Sequence, residues 1–246
     1  EEFLAMYPDE PDPDRRHYYG DVAQVDAAVG TLMKALDDRS LSGRTFVFFS
    51  SDNGPETLGR YKGAQRSHGS PGPLRGMKLH ITEAGYRVPG IVRWPGRTKP
   101  GSVSDEPVCS VDLLPTFCAL AGLEPPRDRP LDGASLVPLF GGRPIVRPHP
   151  LYWQYDFALG PPWQVSLRDG PWKLLADGAL GRFALHRIGD DTGEANDLAV
   201  AEPGRVRDLA GAMKRLHDAV AAECEKSGNP APRQGAAGRA GKGKTK

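Results

Sequence analysis

Residues 45–55 read TFVFFSSDNGP, Thr45 to Pro55. Aromatic and β-branched residues pass straight into an acid, an amide and a glycine. The apolar part is continuous rather than alternating, which predicts a buried strand of the parallel kind, covered on both faces. Its end, Asp52-Asn53-Gly54, admits two readings. These are ordinary turn formers, so a turn is the simpler one. The other is a metal site, because open α/β folds place ligands at the carboxyl ends of their strands.

Reading backwards, Val22, Val25, Val29, Leu32, Met33 and Leu36 fall at helical spacing between Tyr18 and Asp38. A helix followed by a buried strand is half of an α/β repeat. Residues 1–15, acidic and proline-rich, read as a surface connection. Reading forwards, residues 54–77 form a long polar, glycine-rich loop of the kind that carries function or stays disordered. A second strand is predicted over Arg87–Gly96 and a helix over 110–121, with Ser110 as its N-cap and Pro115 near its first turn. A proline-rich connection, 124–150, follows. From Leu151 the texture changes to short aromatic or alternating runs, with Asp169-Gly170 as a hairpin signal. A last helix carries Val206, Leu209, Met213, Leu216 and Val220 on one stripe.

The composition is that of a globular domain: 246 residues, 39% hydrophobic, 26% charged and a net charge of +1. This weak field predicts no general affinity for nucleic acid, and no apolar run approaches the ~20 residues of a membrane-spanning helix. Cys109, Cys118 and Cys224 show no paired spacing, so neither a disulfide framework nor a cysteine metal site is expected. No G-x-S-x-G elbow is present, which argues against a serine hydrolase of the α/β type.

Three segments in order, FFSSDNGP, then GSPGPLRGMKLHITEAGYRVPGIVRWPG, then SVDLLPTFCALAGLEPPRDRPLDGASLVPLF, resemble the C-terminal half of a type I sulfatase. That is the arylsulfatase branch of the alkaline-phosphatase-like superfamily, and the resemblance runs from about Tyr18 to Leu198. It implies an α/β fold: the C-terminal part of an alkaline-phosphatase-like sandwich over 1–145, then a small antiparallel sheet with a packed C-terminal helix over 146–226. A basic, low-complexity tail, 227–246, is expected to be disordered. Asp52 and Asn53 match the family's metal-binding pair, usually for calcium, with magnesium as the alternative. A carboxylate and an amide carbonyl are the hard oxygen ligands that such a cation takes. Lys78, in PLRGMK, matches the lysine that contacts the substrate's sulfate, a task suited to a compact cation. His68, on the 54–77 loop, reads as a solvent-facing loop histidine or, as the weaker candidate, a donor to a sugar or sulfate oxygen. Arg75 and His80 read as packing or surface residues, and Glu83 with Arg87 as a local ion pair. The family's Glu-Gly-Gly is Glu83-Ala84-Gly85 here, which puts the geometry of that turn in question.

The family's nucleophile motif, Cys-x-Pro-x-Arg or Ser-x-Pro-x-Arg, whose first residue becomes formylglycine, is absent from the 246 residues. The remaining metal acids are absent too. The expectation is therefore a portion of a sulfatase that supplies metal and sulfate ligands, is inactive alone, and leaves an apolar face uncovered where an N-terminal half would pack. Its substrate would be a sulfate ester, of a sugar or an aryl alcohol, and the family implies export or a lysosome-like compartment. Two alternatives stand beside this reading. One is a phosphoryl or phosphonate ester hydrolase of the same superfamily. The other is a non-catalytic interaction module using the basic tail and helix 204–224.

Overall fold

The computed structural model describes residues 1–56, 67–160 and 162–228. The central part of the predicted 54–77 loop and nearly all of the predicted tail lie outside the described residues. Helix α1 spans Pro13–Asp38 and starts earlier than its apolar stripe does. The Asp12 side chain accepts from the Asp14 and Arg15 amides, and Pro13 sits at the first helical position, where its missing N–H costs nothing. Strand β1, Val47–Ser50, follows. A short helix α2, Glu83–Tyr86, leads into strand β2, Gly90–Arg93. Helix α3 spans Leu113–Ala121 and α4 spans Val137–Phe140.

β1 runs antiparallel to β2, with Phe48 opposite Val92. The expected parallel, doubly covered strand is thus corrected on both counts. Phe49 is 41% and Ile91 56% exposed, and β2 is the only strand paired with β1 among the described residues. A continuous apolar run measures how much cover a strand wants; it carries no information about partner direction. On α1, Val22, Val25 and Leu32 likewise face solvent. Val29, Met33 and Leu36 of the same stripe are half-buried, so the amphipathic stripe is present and only partly covered among the described residues. The base of the ribbon is pinned by an aromatic cluster: the Phe46 ring lies 5.8 Å from Trp94, 6.1 Å from Phe117 and 5.4 Å from Phe140.

Helix α3 begins through Asp112 rather than Ser110. A single 3-10 turn, Ser110–Asp112, precedes it, and the Cys109 amide donates to Asp112 Oδ2 at 2.8 Å. The same buried carboxylate accepts from the Ala134 amide at 2.9 Å and pairs with both terminal nitrogens of Arg147, at 2.6 and 2.8 Å. With every lone pair occupied, Asp112 is a structural acid.

The remaining strands, β3 (Leu151–Gln154), β4 (Val165–Asp169), β5 (Trp172–Ala176) and β6 (Phe183–Arg187), form an antiparallel meander in chain order. The Asp169-Gly170 hairpin joins β4 to β5, with Gly170 at φ 51 where a left-handed residue is needed. Helix α5, Pro203–Lys226, covers one face. Its Leu209 and Met213 pack on Val165, Leu167, Leu174, Ala176 and Leu185, each contributing about 1.5–3 kcal/mol by burial. Strand alternation sends Lys173 and Leu175 to the opposite face. There Leu175 and Ala184 meet Ile81 from the segment before α2, with Tyr86 of α2 and Trp153 packed around them. The four-stranded sheet is therefore held between α5 and α2. No helix among the described residues is long and apolar enough to cross a membrane.

Candidate functional site

Past Ser50 the chain leaves the ribbon and closes a tight turn. The Ser51 hydroxyl donates to the Asn53 carbonyl at 3.0 Å, and the Asn53 amide donates to Asp52 Oδ1 at 3.0 Å. Asn53 uses its own Nδ2 on the Gly54 carbonyl at 3.2 Å, which leaves the amide oxygen as its ligand-type atom. The turn reading of Asp52-Asn53-Gly54 is observed directly. The turn exists, and it presents a carboxylate and an amide at the end of β1.

Gly54 fixes this turn to α2. Its N–H donates to the Gly85 carbonyl at 3.0 Å, and a β-carbon there would fall on the Ala84 carbonyl oxygen. No side chain other than hydrogen fits so close to another backbone. Ala84 in place of the family's first glycine is accommodated: it is buried, and α2 forms around it. The Lys78 amide donates to the Pro55 carbonyl at 2.8 Å, bringing the second segment alongside the first.

A cleft of about 520 Å³ opens where these segments meet, lined among others by Tyr18, Asn53, Glu56, Lys78 and Arg87. Asn53 and Lys78 therefore share a cavity. Asp52 is exposed beside it and does not line it. His68 does not line it either. It lies edge-on to the Tyr18 ring, centroids 6.1 Å apart, with Nε2 buried and unpartnered among the described residues. Sequence reasoning passed over Tyr18, which sits in the first turns of α1 and carries no local signal. Arg87 makes the expected pair with Glu83, at 3.4 Å, and lines the cleft as well.

Among the described residues, no three His, Cys, Asp or Glu side chains gather as a metal cluster. In kind, the Asp52 carboxylate and the Asn53 carbonyl suit a hard cation; in number, they are a part of the six to eight oxygens that calcium takes.

His80, two residues beyond Lys78, is held below its ordinary value of 6.5, first by burial and then by the Arg75 guanidinium. A depressed pKa means that the folded state resists the proton. The stability this contributes is present above about pH 6.5 and is lost as pH falls toward the folded pKa. An NMR titration of the ring protons is expected to place His80 below 6.5. A midpoint at or above 6.5 would contradict the packing described.

Glu83 makes a larger set of contacts than a local pair. Its Oε1 lies 2.9 Å from the Lys173 ammonium, and its amide donates to Glu194 Oε2 at 2.8 Å. No spacing rule connects these residues, whose separations in the chain are 90 and 111. The available signal was a lysine inside an apolar hairpin strand, in WKLLA.

Two family models match the chain. The family model described as Sulfatase matches residues 1–123, and the C-terminal model of N-sulphoglucosamine sulphohydrolase matches 77–175. Steryl-sulfatase of Rattus norvegicus is 37% identical over 178 residues, covering 68% of this chain and 31% of that protein. N-acetylgalactosamine-6-sulfatase of Sus scrofa is 42% identical over 136 residues, 54% of this chain and 25% of that protein. The solved structure of Ps i-CgsB in complex with k-i-k-neocarrahexaose superposes with a TM-score of 0.73 at 29% identity, over 87% of this chain and 46% of the other. The chain thus spans about a third or less of these two curated relatives. A sulfatase model across half its length, overlapped by a sulfatase-type C-terminal model that reaches into β5, shows that the chain belongs to the sulfatase family.

Proposed function

We propose that this chain is the C-terminal portion of a metal-dependent sulfatase, a hydrolase of sulfuric esters, with a sulfated saccharide as substrate. The observation that carries the reading is the shared cleft of Asn53 and Lys78 at the end of β1, with the Asp52 carboxylate beside it. Sulfatases use a metal ion and formylglycine. Bound here, a calcium ion would be held in part by Asp52 and Asn53, and it would supply positive charge against the sulfate oxygens. The Lys78 ammonium, which lines the same cleft, would bind and orient the sulfate as a point charge for a tetrahedral anion. His68, edge-on to the Tyr18 ring and outside the cleft lining, would support Tyr18 rather than donate directly to substrate. The saccharide assignment draws on the relative named N-acetylgalactosamine-6-sulfatase and on the solved complex with k-i-k-neocarrahexaose.

The organisation that goes with this reading is a catalytic part over 1–145, the small sheet with α5 over 146–226, and a basic tail over 227–246. The uncovered apolar residues of α1 and the β1–β2 ribbon are where the N-terminal half would pack. The nucleophile and the other metal acids would come from that half, since covalent catalysis without a nucleophile does not proceed. The purified 246-residue chain is accordingly expected to release no 4-nitrophenol from 4-nitrophenyl sulfate above the buffer rate. Turnover that vanishes in Asp52→Ala would overturn this division of labour.

A further inference from the structure

Lys173 is the most completely buried cation described in the fold, 0% exposed, at the centre of β5. Its ammonium lies 2.9 Å from Glu83 Oε1, 2.8 Å from Glu194 Oε1 and 4.7 Å from the centroid of the Tyr86 ring. Burial works against its charge; the two carboxylates of Glu83 and Glu194 at 2.9 and 2.8 Å more than offset that, and its pKa is raised. Taking these ions out of water is costly, and well-packed apolar residues commonly do as well for stability alone. Stability is therefore a poor reason for this cluster to exist. A buried ion pair does fix direction, which an apolar contact does not.

The direction it fixes is that of α2. Glu83 opens α2, and both its carboxylate and its amide are tied to the sheet side, through Lys173 and Glu194. The second tie runs through Arg75: its Nη1 donates to the Glu194 carbonyl at 3.2 Å, and its own carbonyl accepts from the Ala84 amide at 2.9 Å. Ala84 and Gly85 in turn meet Gly54 with no slack, and a β-carbon at Gly85 would fall on the His80 carbonyl oxygen. Gly54 precedes Pro55, whose carbonyl holds the Lys78 amide. Contacts thus run without a gap from the interior of the sheet to both candidate ligand segments.

We propose that the buried Glu83–Lys173–Glu194 cluster is a positioning device, through which the four-stranded sheet holds the Asn53 turn and the Lys78 segment in register. Its importance for sulfate ester hydrolysis rests on the function proposed above; the mechanical coupling does not. These three are positioning residues and touch no reacting atom.

Backbone amide exchange on the 246-residue chain, followed residue by residue by NMR, tests the coupling. In Lys173→Met, local opening is expected to speed exchange at the Gly54 and Lys78 amides by about tenfold or more, while the amides of Leu167 and Leu185 stay within about twofold. Glu194→Gln keeps an oxygen for the Glu83 amide and drops one charge. It is expected to act in the same direction by a smaller factor, and it serves if the first variant does not fold. Wild-type exchange at Gly54 and Lys78 in either folded variant would overturn the proposal. So would an acceleration shared equally by all four amides, which is the mark of plain destabilisation. Neither readout involves metal or sulfate, so a failed activity assay would bear on the functional reading alone.

Discussion

Replacing Gly54 with alanine is expected to cost about 3 kcal/mol of stability and to break the turn that carries Asn53. The new β-carbon would fall on the Ala84 carbonyl oxygen and 2.8 Å from its carbon. Both are backbone atoms of α2, so no rotamer change relieves the overlap. Overpacking of this kind costs about 1–3 kcal/mol, and the 3.0 Å bond from the Gly54 amide to Gly85 must lengthen as the segments part, adding about 0.5–1.5 kcal/mol. Gly30 provides the opposite case. It lies exposed within α1 with nothing within 4 Å of a β-carbon, so Gly30→Ala is expected to stabilise by about 0.5–1 kcal/mol. Urea unfolding followed by tryptophan fluorescence measures both. A Gly54→Ala protein as stable as wild type would mean that α2 does not abut the end of β1.

The second large effect concerns Lys78. In a protein that carries the nucleophile motif ahead of this chain, Lys78→Ala is expected to lower kcat/KM for 4-nitrophenyl sulfate by about 10²–10³. That is the usual loss for a preorganised group facing charge that develops in the transition state. The geometry behind the expectation is the 2.8 Å tie from the Lys78 amide to Pro55, which brings this lysine to the cleft that Asn53 also lines. Lys78→Arg keeps the charge but spreads it over a longer, planar group, so an intermediate loss is expected. His68→Ala should change kcat/KM by less than about tenfold, because His68 faces Tyr18 and stands outside the cleft lining. Equal losses at Lys78 and His68 would contradict these assignments.

The elements with local causes were legible in the sequence. The Asp169-Gly170 hairpin and the Leu209–Met213 stripe of α5 stand where turn chemistry and helical spacing put them. The start of α1 was written in Asp12-Pro13, yet the acidic, proline-rich composition around it reads as a connection. The turn at the end of β1 was legible in Asp52-Asn53-Gly54, whereas the ligand role proposed for the same residues depends on groups that these 246 residues do not supply. Partner direction for β1 was not legible, because hydrophobicity reports cover and not orientation. The Glu83–Lys173–Glu194 cluster was least legible. Its members read singly as an ordinary ion pair, a strand lysine and a loop acid, and only the sheet brings them together.

The central claim, that the Asp52–Asn53 turn and Lys78 supply the metal and sulfate contacts of a sulfatase, is tested most directly by expressing the whole reading frame. The coding DNA on the 5′ side of the Glu1 codon is sequenced, and the full product and its Asp52→Ala variant are assayed on 4-nitrophenyl sulfate. The account predicts an in-frame Cys-x-Pro-x-Arg or Ser-x-Pro-x-Arg motif upstream, and hydrolysis that Asp52→Ala abolishes. A stop codon directly before Glu1, or full activity in Asp52→Ala, would contradict it.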